Sequence, residues 1–339
     1  MPSSPSNDVS PPESPQRLFE SLQGCSRVLL TGPLEPDGDS VGACLALQRL
    51  LHHCGVDVDV GGIPTYRYLW MPGAADMIPD QDLRPDYDAV VVLDGDRHRL
   101  TREASAAFAR AGVKGIVDHH ASTRSDGYTH AWIDPEATSV CEMLYELVVA
   151  KHMDIDHDLA ALLYVGAIFD TGGFRYSNTT PATHRMAARL LEVGIDHAGI
   201  CARILLEHRE PALRVAGEVY SNAELHLDGT LSIGSLCKAT AKRLRLVPGD
   251  LEGLVDSLVY TSGVEVAVLL VERAPRLVKA SLRSRGRVNV ASVAQMLSPS
   301  GGGHTKAAGA VIEATLAESR QRVVDVVTPE LRSSHAAAG

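Results

Sequence analysis

Between residues 27 and 120, short apolar runs alternate with a segment of helical spacing. Four strands are predicted from the runs RVLLTG (27–32), VDVDVGG (56–62), DAVVVLDGD (88–96) and GIVDHH (115–120). The segment SVGACLALQRLLHHCG (40–55) predicts a helix that stops at a glycine. Strands that alternate with helices are typical of βαβ units, so the predicted fold class is α/β with a largely parallel sheet.

Residues 136–217 have helical spacing, and HAGICARILLEHREPALRVAGEVY (197–220) predicts a polar-faced helical connector. Strands return after residue 220 with LSIGSL (231–236), VEVAVLLVER (264–273) and RLVKASLRSR (276–285), which predict a mixed or antiparallel sheet. VNVASVAQML (288–297) and TLAESRQRVVDVV (315–327) predict helices that cover this sheet.

Ser- and Pro-rich residues 1–16 predict a disordered tail, and SSHAAAG (333–339) predicts another. Between them we predict a parallel-sheet domain over 17–200, a helical linker over 201–218 and a smaller mixed-sheet domain over 219–333. The length of 339 residues and the 45% apolar content are sufficient for two hydrophobic cores.

The composition also limits where the protein works. No window approaches 18 consecutive apolar residues, and the N-terminus lacks the basic and apolar regions of a secretory signal. Six cysteines without CxxC spacing predict reduced, mostly buried thiols rather than a disulfide framework or a zinc site. The sequence therefore predicts a cytoplasmic protein with no membrane partner.

The net charge of −10 is unevenly distributed. Residues 1–96 carry 15 acidic and 5 basic side chains, whereas residues 273–306 carry seven basic side chains and no acid. A solvated charged face on each domain is one interpretation. The other is an acidic site that binds metal and a basic site that binds phosphate.

Four acidic clusters follow apolar runs: Glu35-Pro36-Asp37-Gly38-Asp39, Asp94-Gly95-Asp96, Asp118-His119-His120 and Asp170-Thr171-Gly172-Gly173. Any one of these aspartates by itself is typical of a turn or a helix cap. Together, at the carboxyl ends of strands, carboxylates and imidazoles favour Mn²⁺ or Mg²⁺, with two ions sharing a carboxylate. Such a pair of ions supports in-line displacement at a phosphoester.

A glycine run, Gly301-Gly302-Gly303, precedes His304 and Lys306. Exposed amides in such a run can surround a phosphate, although a flexible turn has the same composition. Arg283 and Ser284 on the adjacent predicted strand favour phosphate binding, because a guanidinium can bind phosphate through two hydrogen bonds.

Six motifs in this order resemble the DHH phosphoesterase superfamily with a C-terminal DHH-associated domain, and within it the NrnA-type oligoribonucleases that are also pAp phosphatases. The motifs are PDGD (36–39), VVLDGDRHRL (91–100), VDHH (117–120), FDTGGFRYSNTT (169–180), LRS (282–284) and GGGHTKAAG (301–309). The chain length is unlike that of RecJ nucleases, and GGGH disfavours the pyrophosphatase branch.

The resemblance implies an active site in the cleft between the two domains and a role for each matching residue. The implied metal ligands are Asp37, Asp39, Asp94, His119 and Asp170, with Asp94 bridging two Mn²⁺ ions and with Mg²⁺ or Co²⁺ as alternatives. Asp118 is expected to orient His119, and His120 to face the scissile phosphate as a catalytic residue. The implied substrate-binding residues are Arg283, Ser284, Gly302, Gly303, His304 and Lys306.

One position departs from the family. The first motif usually begins with a metal-binding histidine three residues before its Pro-Asp pair, and here that position is Pro33. Three alternatives remain open: Glu35 or a water fills the position, the enzyme works with one tightly bound metal, or catalysis has been lost and nucleotide binding retained.

The resemblance implies a Mn²⁺-dependent 3′–5′ oligoribonuclease and pAp phosphatase. Its expected substrates are short RNA, pAp, or linear or cyclic dinucleotides, and its expected assembly is a homodimer. A nucleotide-binding relative without catalytic activity is the alternative function.

Overall fold

The computed structural model describes residues 15–336, and the chain divides into two compact units between Glu207 and His208. This division lies inside the segment 201–218 that the sequence predicts as a linker. The predicted N-terminal tail lies outside the described residues up to position 14, and the first helix begins at Pro15.

The first unit contains seven α-helices and five strands among its described residues. In chain order they are α1 (Pro15–Gln23), β1 (Arg27–Thr31), α2 (Gly38–His53), β2 (Asp57–Gly61), β3 (Ala89–Leu93), α3 (Arg102–Arg110), β4 (Val113–Asp118), β5 (His130–Ile133), α4 (Val140–Ala150), α5 (His157–Asp170), α6 (Pro181–Glu192) and α7 (His197–Cys201).

The sheet of the first unit has the order β2-β1-β3-β4-β5, and all its neighbouring strands are parallel. Side chains alternate across the sheet, so Val28 and Leu30 of β1 join one hydrophobic cluster and Leu29 joins the cluster on the other face. The predicted parallel α/β domain is confirmed. Because parallel strands end at one edge, the acidic motifs after β1, β3 and β4 are brought to that edge.

The second unit also places helices on both faces of one sheet. Its elements are α8 (Glu210–Ser221), β6 (Glu224–His226), β7 (Leu231–Leu236), α9 (Lys238–Arg243), α10 (Leu254–Val259), β8 (Val266–Ala274), β9 (Leu277–Ser284), α11 (Val290–Leu297), β10 (Gly302–Gly303), β11 (Ala307–Ile312) and α12 (Leu316–Ala336). The strand order is β10-β11-β9-β8-β7-β6, and only β7 and β8 are parallel. The predicted mixed sheet is confirmed.

The predicted helical connector over 197–220 is helical at both ends and is interrupted in between. Helix α7 continues as a π-helical turn, Ala202–Leu206, and the chain becomes extended at Glu207 before α8 begins at Glu210. The guanidinium of the buried Arg67 donates to the carbonyl oxygens of Ile204 at 2.6 Å and of Glu207 at 3.1 Å. A buried arginine therefore satisfies carbonyls where the helix stops.

The predicted disordered C-terminal tail is also wrong for residues 333–336, because α12 extends to Ala336. All six cysteines are free, as predicted, but only Cys44 and Cys141 are buried, so the expectation of mostly buried thiols is wrong. No helix within residues 15–336 combines the length and apolar character needed to cross a membrane.

Candidate metal centre and anion-binding face

The first motif places two aspartates at the start of α2. Asp37 is the N-cap, and its carboxylate accepts hydrogen bonds from the amides of Asp39 and Ser40, both at 3.1 Å. Asp39 is fully buried and accepts from the amides of Val140, at 2.7 Å, and Cys141, at 3.0 Å, in the first turn of α4. Helix N-termini stabilise negative charge, so both carboxylates are held by positive helix ends.

Asp94 follows β3 in the left-handed backbone region, with φ of 58°. Aspartate tolerates this region better than most residues, and the amide of Asp94 donates to the carbonyl of Val117 in β4 at 3.0 Å. The next residue, Gly95, lies against Pro33: a Cβ atom on Gly95 would lie 3.4 Å from the ring of Pro33. Pro33, where the first motif departs from the family pattern, is therefore buried and lies against the residue that follows Asp94.

His119 contacts the metal-ligand candidates through one edge of its ring. Its Nε2 lies 3.1 Å from Oδ2 of Asp170, the last residue of α5, and 3.5 Å from Oδ1 of Asp94. Its Nδ1 lies 3.2 Å from the carbonyl oxygen of Ala137. Because a carbonyl only accepts, Nδ1 carries a hydrogen and Nε2 is the atom directed at the carboxylates.

Asp118, the last residue of β4, holds His120 rather than the ring of His119. Its buried carboxylate accepts from His120 Nδ1 at 2.7 Å and from the hydroxyl of Thr123. Burial alone would raise the pKa of Asp118, but these hydrogen bonds lower it, so Asp118 is ionised. Asp118 also accepts a hydrogen bond from the backbone amide of His119 at 2.9 Å, so it contacts the backbone of His119 while the carbonyl of Ala137 contacts the ring.

Negative charge is crowded at this edge of the sheet. Burial, followed by repulsion from Asp170, raises the pKa of Asp37 and raises the pKa of Asp39 to about 7. Burial and repulsion from Asp37 raise the pKa of Asp94 well above its usual range. Burial would lower the pKa of His119, yet the adjacent carboxylates of Asp170 and Asp94 raise it strongly.

These residues fit a divalent cation. The buried Oδ2 of Asp170 has no well-formed hydrogen bond, although His119 Nε2 is nearby. Within the described residues of the first unit, ligand atoms lie within 4.8 Å of one another in two groups, Asp39–His119–Asp170 and Asp94–Asp118–His120. Carboxylate oxygens with imidazole suit Mn²⁺ or Mg²⁺, and a cation would neutralise the repulsion that raises the pKa values.

Several side chains that hold this centre are not predicted from the sequence. Asn178 donates from Nδ2 to the backbone oxygen of Asp170 at 3.1 Å, and Thr123 bonds to Asp118. Glu142 lies in the first turn of α4, three residues after the N-cap Ser139. The Ser-x-x-Glu spacing is the signature of a capping box, so it would have been found only as a helix start.

In the second unit, Arg283 lies near the end of β9. Its Nε donates to Oδ1 of Asp256 in α10 at 2.8 Å, and its Nη1 donates to the carbonyl of Leu282 at 3.2 Å. Arg276 pairs with Glu318 at 3.2 Å. Arginines of the acid-free run 273–306 therefore pair with carboxylates from other segments. The guanidinium of Arg283 is held in place, and Asp256 partly neutralises its positive charge.

The three glycines before His304 differ in their structural need. A Cβ atom on Gly301 would lie 2.0 Å from the carbonyl oxygen of Ala294 in α11. Gly303 has φ of 135°, and a Cβ atom there would lie 2.6 Å from the carbonyl oxygen of Ala307. A Cβ atom on Gly302 would meet nothing within 4 Å. Packing explains Gly301 and Gly303, whereas Gly302 leaves open space.

Strands β10 and β11 form a hairpin, and the predicted binding residues His304 and Lys306 lie in its turn. The amide of His304 donates to the carbonyl of Ala307 at 2.7 Å, and the ammonium of Lys306 donates to the carbonyl of Gly286. Ser284 is buried and, because side chains alternate along a strand, lies on the opposite face of β9 from Arg283. Substrate binding by Ser284 stays a prediction, and it would take place on a different face of the sheet from Arg283.

Comparison with known proteins gives two domain matches. Residues 27–167 match the N-terminal domain of the DHH family, and residues 238–332 match the DHHA1 domain. The bifunctional oligoribonuclease and PAP phosphatase NrnA of Thermus thermophilus is 30% identical over 93% of this chain and 96% of its own. The protein of the same name from Bacillus subtilis is 25% identical over 87% of this chain and 92% of its own.

Among solved structures, an exopolyphosphatase-related protein from Bacteroides fragilis is similar along nearly its whole length. It superposes with a TM-score of 0.82 at 26% identity, covering 93% of this chain and 94% of that chain. The two-domain architecture is thus shared with that protein.

Proposed function

Since the chain belongs to the DHH family and carries a DHHA1 domain, we propose that it hydrolyses phosphoesters of short oligoribonucleotides and of pAp. The observation that carries the proposal is the cluster of crowded carboxylates around His119, built from four separate motifs. The relatives named as oligoribonuclease and PAP phosphatase support these two substrate classes.

In this proposal the cluster holds two divalent cations, and Mn²⁺ is the expected ion. Asp37, Asp39, Asp94, His119 and Asp170 would hold the ions, and Asp94 would be the ligand that both share. When bound, such ions supply a hydroxide nucleophile at neutral pH and neutralise charge on the phosphate. The helix N-termini that bind Asp37 and Asp39 hold these carboxylates ready before any ion arrives.

His120 is proposed to contact the scissile phosphate. Its Nδ1 is held at 2.7 Å by Asp118, which fixes the ring and directs Nε2 away from that carboxylate.

The second domain is proposed to bind the non-reacting part of the substrate. Gly302 pairs with Gly309, and Ala307 pairs with Arg283, so these residues share one face of the sheet. On that face the open space at Gly302 admits close approach of a ligand to the backbone, and Arg283 offers its guanidinium to a phosphate. His304 and Lys306 complete the proposed set.

The test uses Asp94→Ala, with Asp96→Ala as the matched control from the same motif. Asp96 caps the short turn at Arg97–Arg99 by accepting from the amide of His98 at 2.9 Å, so it is not a proposed ligand. Loss of a bridging ligand removes several kcal/mol of transition-state stabilisation, so Asp94→Ala is expected to lower kcat/KM by roughly a thousandfold or more. Asp96→Ala should stay within a few-fold of wild type.

Products from pAp, pApA and short RNA are to be separated by chromatography after incubation with Mn²⁺, Mg²⁺ or Co²⁺. Equal activity of Asp94→Ala and wild type would refute the site. If wild type binds nucleotide but cleaves none of these substrates with any ion, the alternative function, nucleotide binding without catalysis, takes its place. Homodimeric assembly and a cytoplasmic location stay predictions, and sedimentation of the purified chain tests the first.

A further inference from the structure

Glu142 is a buried carboxylate that the proposed mechanism does not use. The residue is only 6% exposed. Oε2 accepts from the amide of Thr138 at 2.8 Å and from the hydroxyl of Thr138 at 2.5 Å, and Oε1 accepts from the hydroxyl of Thr183 at 3.0 Å. Three donors directed at one buried side chain hold it in a single orientation.

The amide of Thr138 belongs to the same peptide group as the carbonyl of Ala137. That carbonyl oxygen lies 3.2 Å from Nδ1 of His119. Because a peptide group is planar, Glu142 on its N–H side and His119 on its C=O side are joined through one rigid unit. A negative charge at the N–H end also polarises the carbonyl and strengthens its hydrogen bond to His119.

The same short segment contacts a second ligand candidate. The amides of Val140 and Cys141, which follow the N-cap Ser139, bind the carboxylate of Asp39. The hydroxyl of Ser139 accepts from the amide of Glu142 at 3.0 Å. Residues 137–142 therefore touch both Asp39 and His119, and Glu142 is the side chain that holds the segment.

We propose that Glu142 is a positioning residue of the metal centre. Through the Ala137–Thr138 peptide it keeps the hydrogen of His119 on Nδ1 and turns Nε2 toward the cation. This inference rests on the proposed metal site. A helix cap alone, the other role for a glutamate at this position, would affect only the stability of α4.

The test compares Glu142→Gln with Glu318→Gln. Glu318 accepts from the amide and the hydroxyl of Thr315, at 2.8 and 2.9 Å, so it has the same pair of donors at the start of α12. Mn²⁺ dissociation constants are to be measured from the electron paramagnetic resonance of free Mn²⁺. Loss of a side chain that orients a metal ligand typically costs roughly 10–100-fold, and because Glu142 acts through a peptide we expect about tenfold weaker binding. Glu318→Gln should bind Mn²⁺ like wild type.

A second readout follows the ring of His119 itself. In the Mg²⁺-loaded protein, ¹⁵N spectra should show a protonated Nδ1 with a hydrogen-bonded proton, and this signal should shift or vanish in Glu142→Gln. An unchanged Mn²⁺ constant or an unchanged His119 spectrum in folded Glu142→Gln overturns the inference, even if its melting temperature falls.

If Glu142→Gln does not fold, Thr138→Val removes one donor and keeps the peptide N–H. Weaker Mn²⁺ binding, by a smaller factor than expected for Glu142→Gln, supports the inference, and unchanged binding overturns it. Asp94→Ala separates the two levels of the proposal. If Asp94→Ala binds Mn²⁺ as wild type does, the metal site itself fails; if it loses Mn²⁺ while Glu142→Gln does not, only the role of Glu142 fails.

Discussion

The ring of Pro33 packs against Gly95, directly after the proposed bridging residue Asp94. This is the position at which the family pattern has a metal-binding histidine. Pro33 is buried, whereas Glu35, the nearest acid in the loop, is exposed. A side chain at position 33 therefore lies next to the loop that carries the metal-ligand candidate Asp94.

We expect Pro33→His to tighten the weaker of the two metal sites. A ligand that contacts the ion matters more than a residue that orients one, so the Mn²⁺ concentration for half-maximal hydrolysis should fall at least about tenfold. The measurement is Mn²⁺-dependent hydrolysis of pAp and a short RNA by wild type, Pro33→His, Glu35→Gln and the double variant.

The double variant shows whether Glu35 takes the place of the missing histidine ligand in the wild-type protein. If Glu35 is the substitute ligand, Glu35→Gln alone should raise the Mn²⁺ concentration for half-maximal hydrolysis. The same change should have little effect in a chain that already carries Pro33→His. An unchanged Mn²⁺ requirement in Pro33→His would contradict the prediction, and would indicate that the loop is shaped around the fixed φ of proline.

At the scale of elements, the β10–β11 hairpin combines glycines with different tasks. Gly301 is needed because α11 passes too close for any side chain, whereas Gly302 sits in open space on the face that Arg283 shares. Gly301 is therefore needed for the packing of the hairpin, whereas Gly302 is available for the proposed ligand.

We expect Gly302→Ala to raise KM for pAp several-fold with little change in melting temperature, because its methyl group projects only into the proposed binding face. Gly301→Ala should lower stability by about 1–3 kcal/mol through overpacking against Ala294. Thermal unfolding and steady-state kinetics of both variants give the comparison. A normal KM in Gly302→Ala would remove this hairpin from the binding face.

For the whole molecule, the repulsion among the carboxylates links stability to pH. The pKa of Asp39 is about 7 in the folded protein and about 3.9 when unfolded. Between these values the folded state binds a proton that the unfolded state does not, so the free energy of unfolding falls as pH rises. The raised pKa of His119 acts in the same direction above the usual histidine pKa of about 6.5.

The metal-free protein is therefore expected to be less stable at pH 7.5 than at pH 5, with Asp39 contributing about 2.5 kcal/mol of this difference. Added Mn²⁺ should stabilise more at pH 7.5, since its ligands must be deprotonated. Melting temperatures with chelator and with Mn²⁺ at both pH values test this. Asp39→Asn should flatten the dependence, and Asp126→Asn, at a side chain 79% exposed, should not.

Much of the site was predictable from local sequence. The order of apolar runs and glycine stops predicted the parallel sheet and the mixed sheet, because strand and helix periods are short-range properties of the chain. The strand ends also identified the carboxylates, since parallel strands bring their following residues to one edge. Short strands with polar flanks, such as β5, lack the apolar run from which the other strands of this sheet are predicted.

Sequence alone thus determined which residue types reach the edge of the sheet, and tertiary structure decided what each one contacts. The amide of Cys141 binds Asp39 across 102 residues, and Asp256 meets Arg283 across 27. Neither pairing has a local pattern, because helix packing and strand register set it. The same holds for the two adjacent histidine rings. The ring of His120 contacts Asp118, whereas the ring of His119 contacts the carbonyl of Ala137, and backbone outside the motif sets this difference.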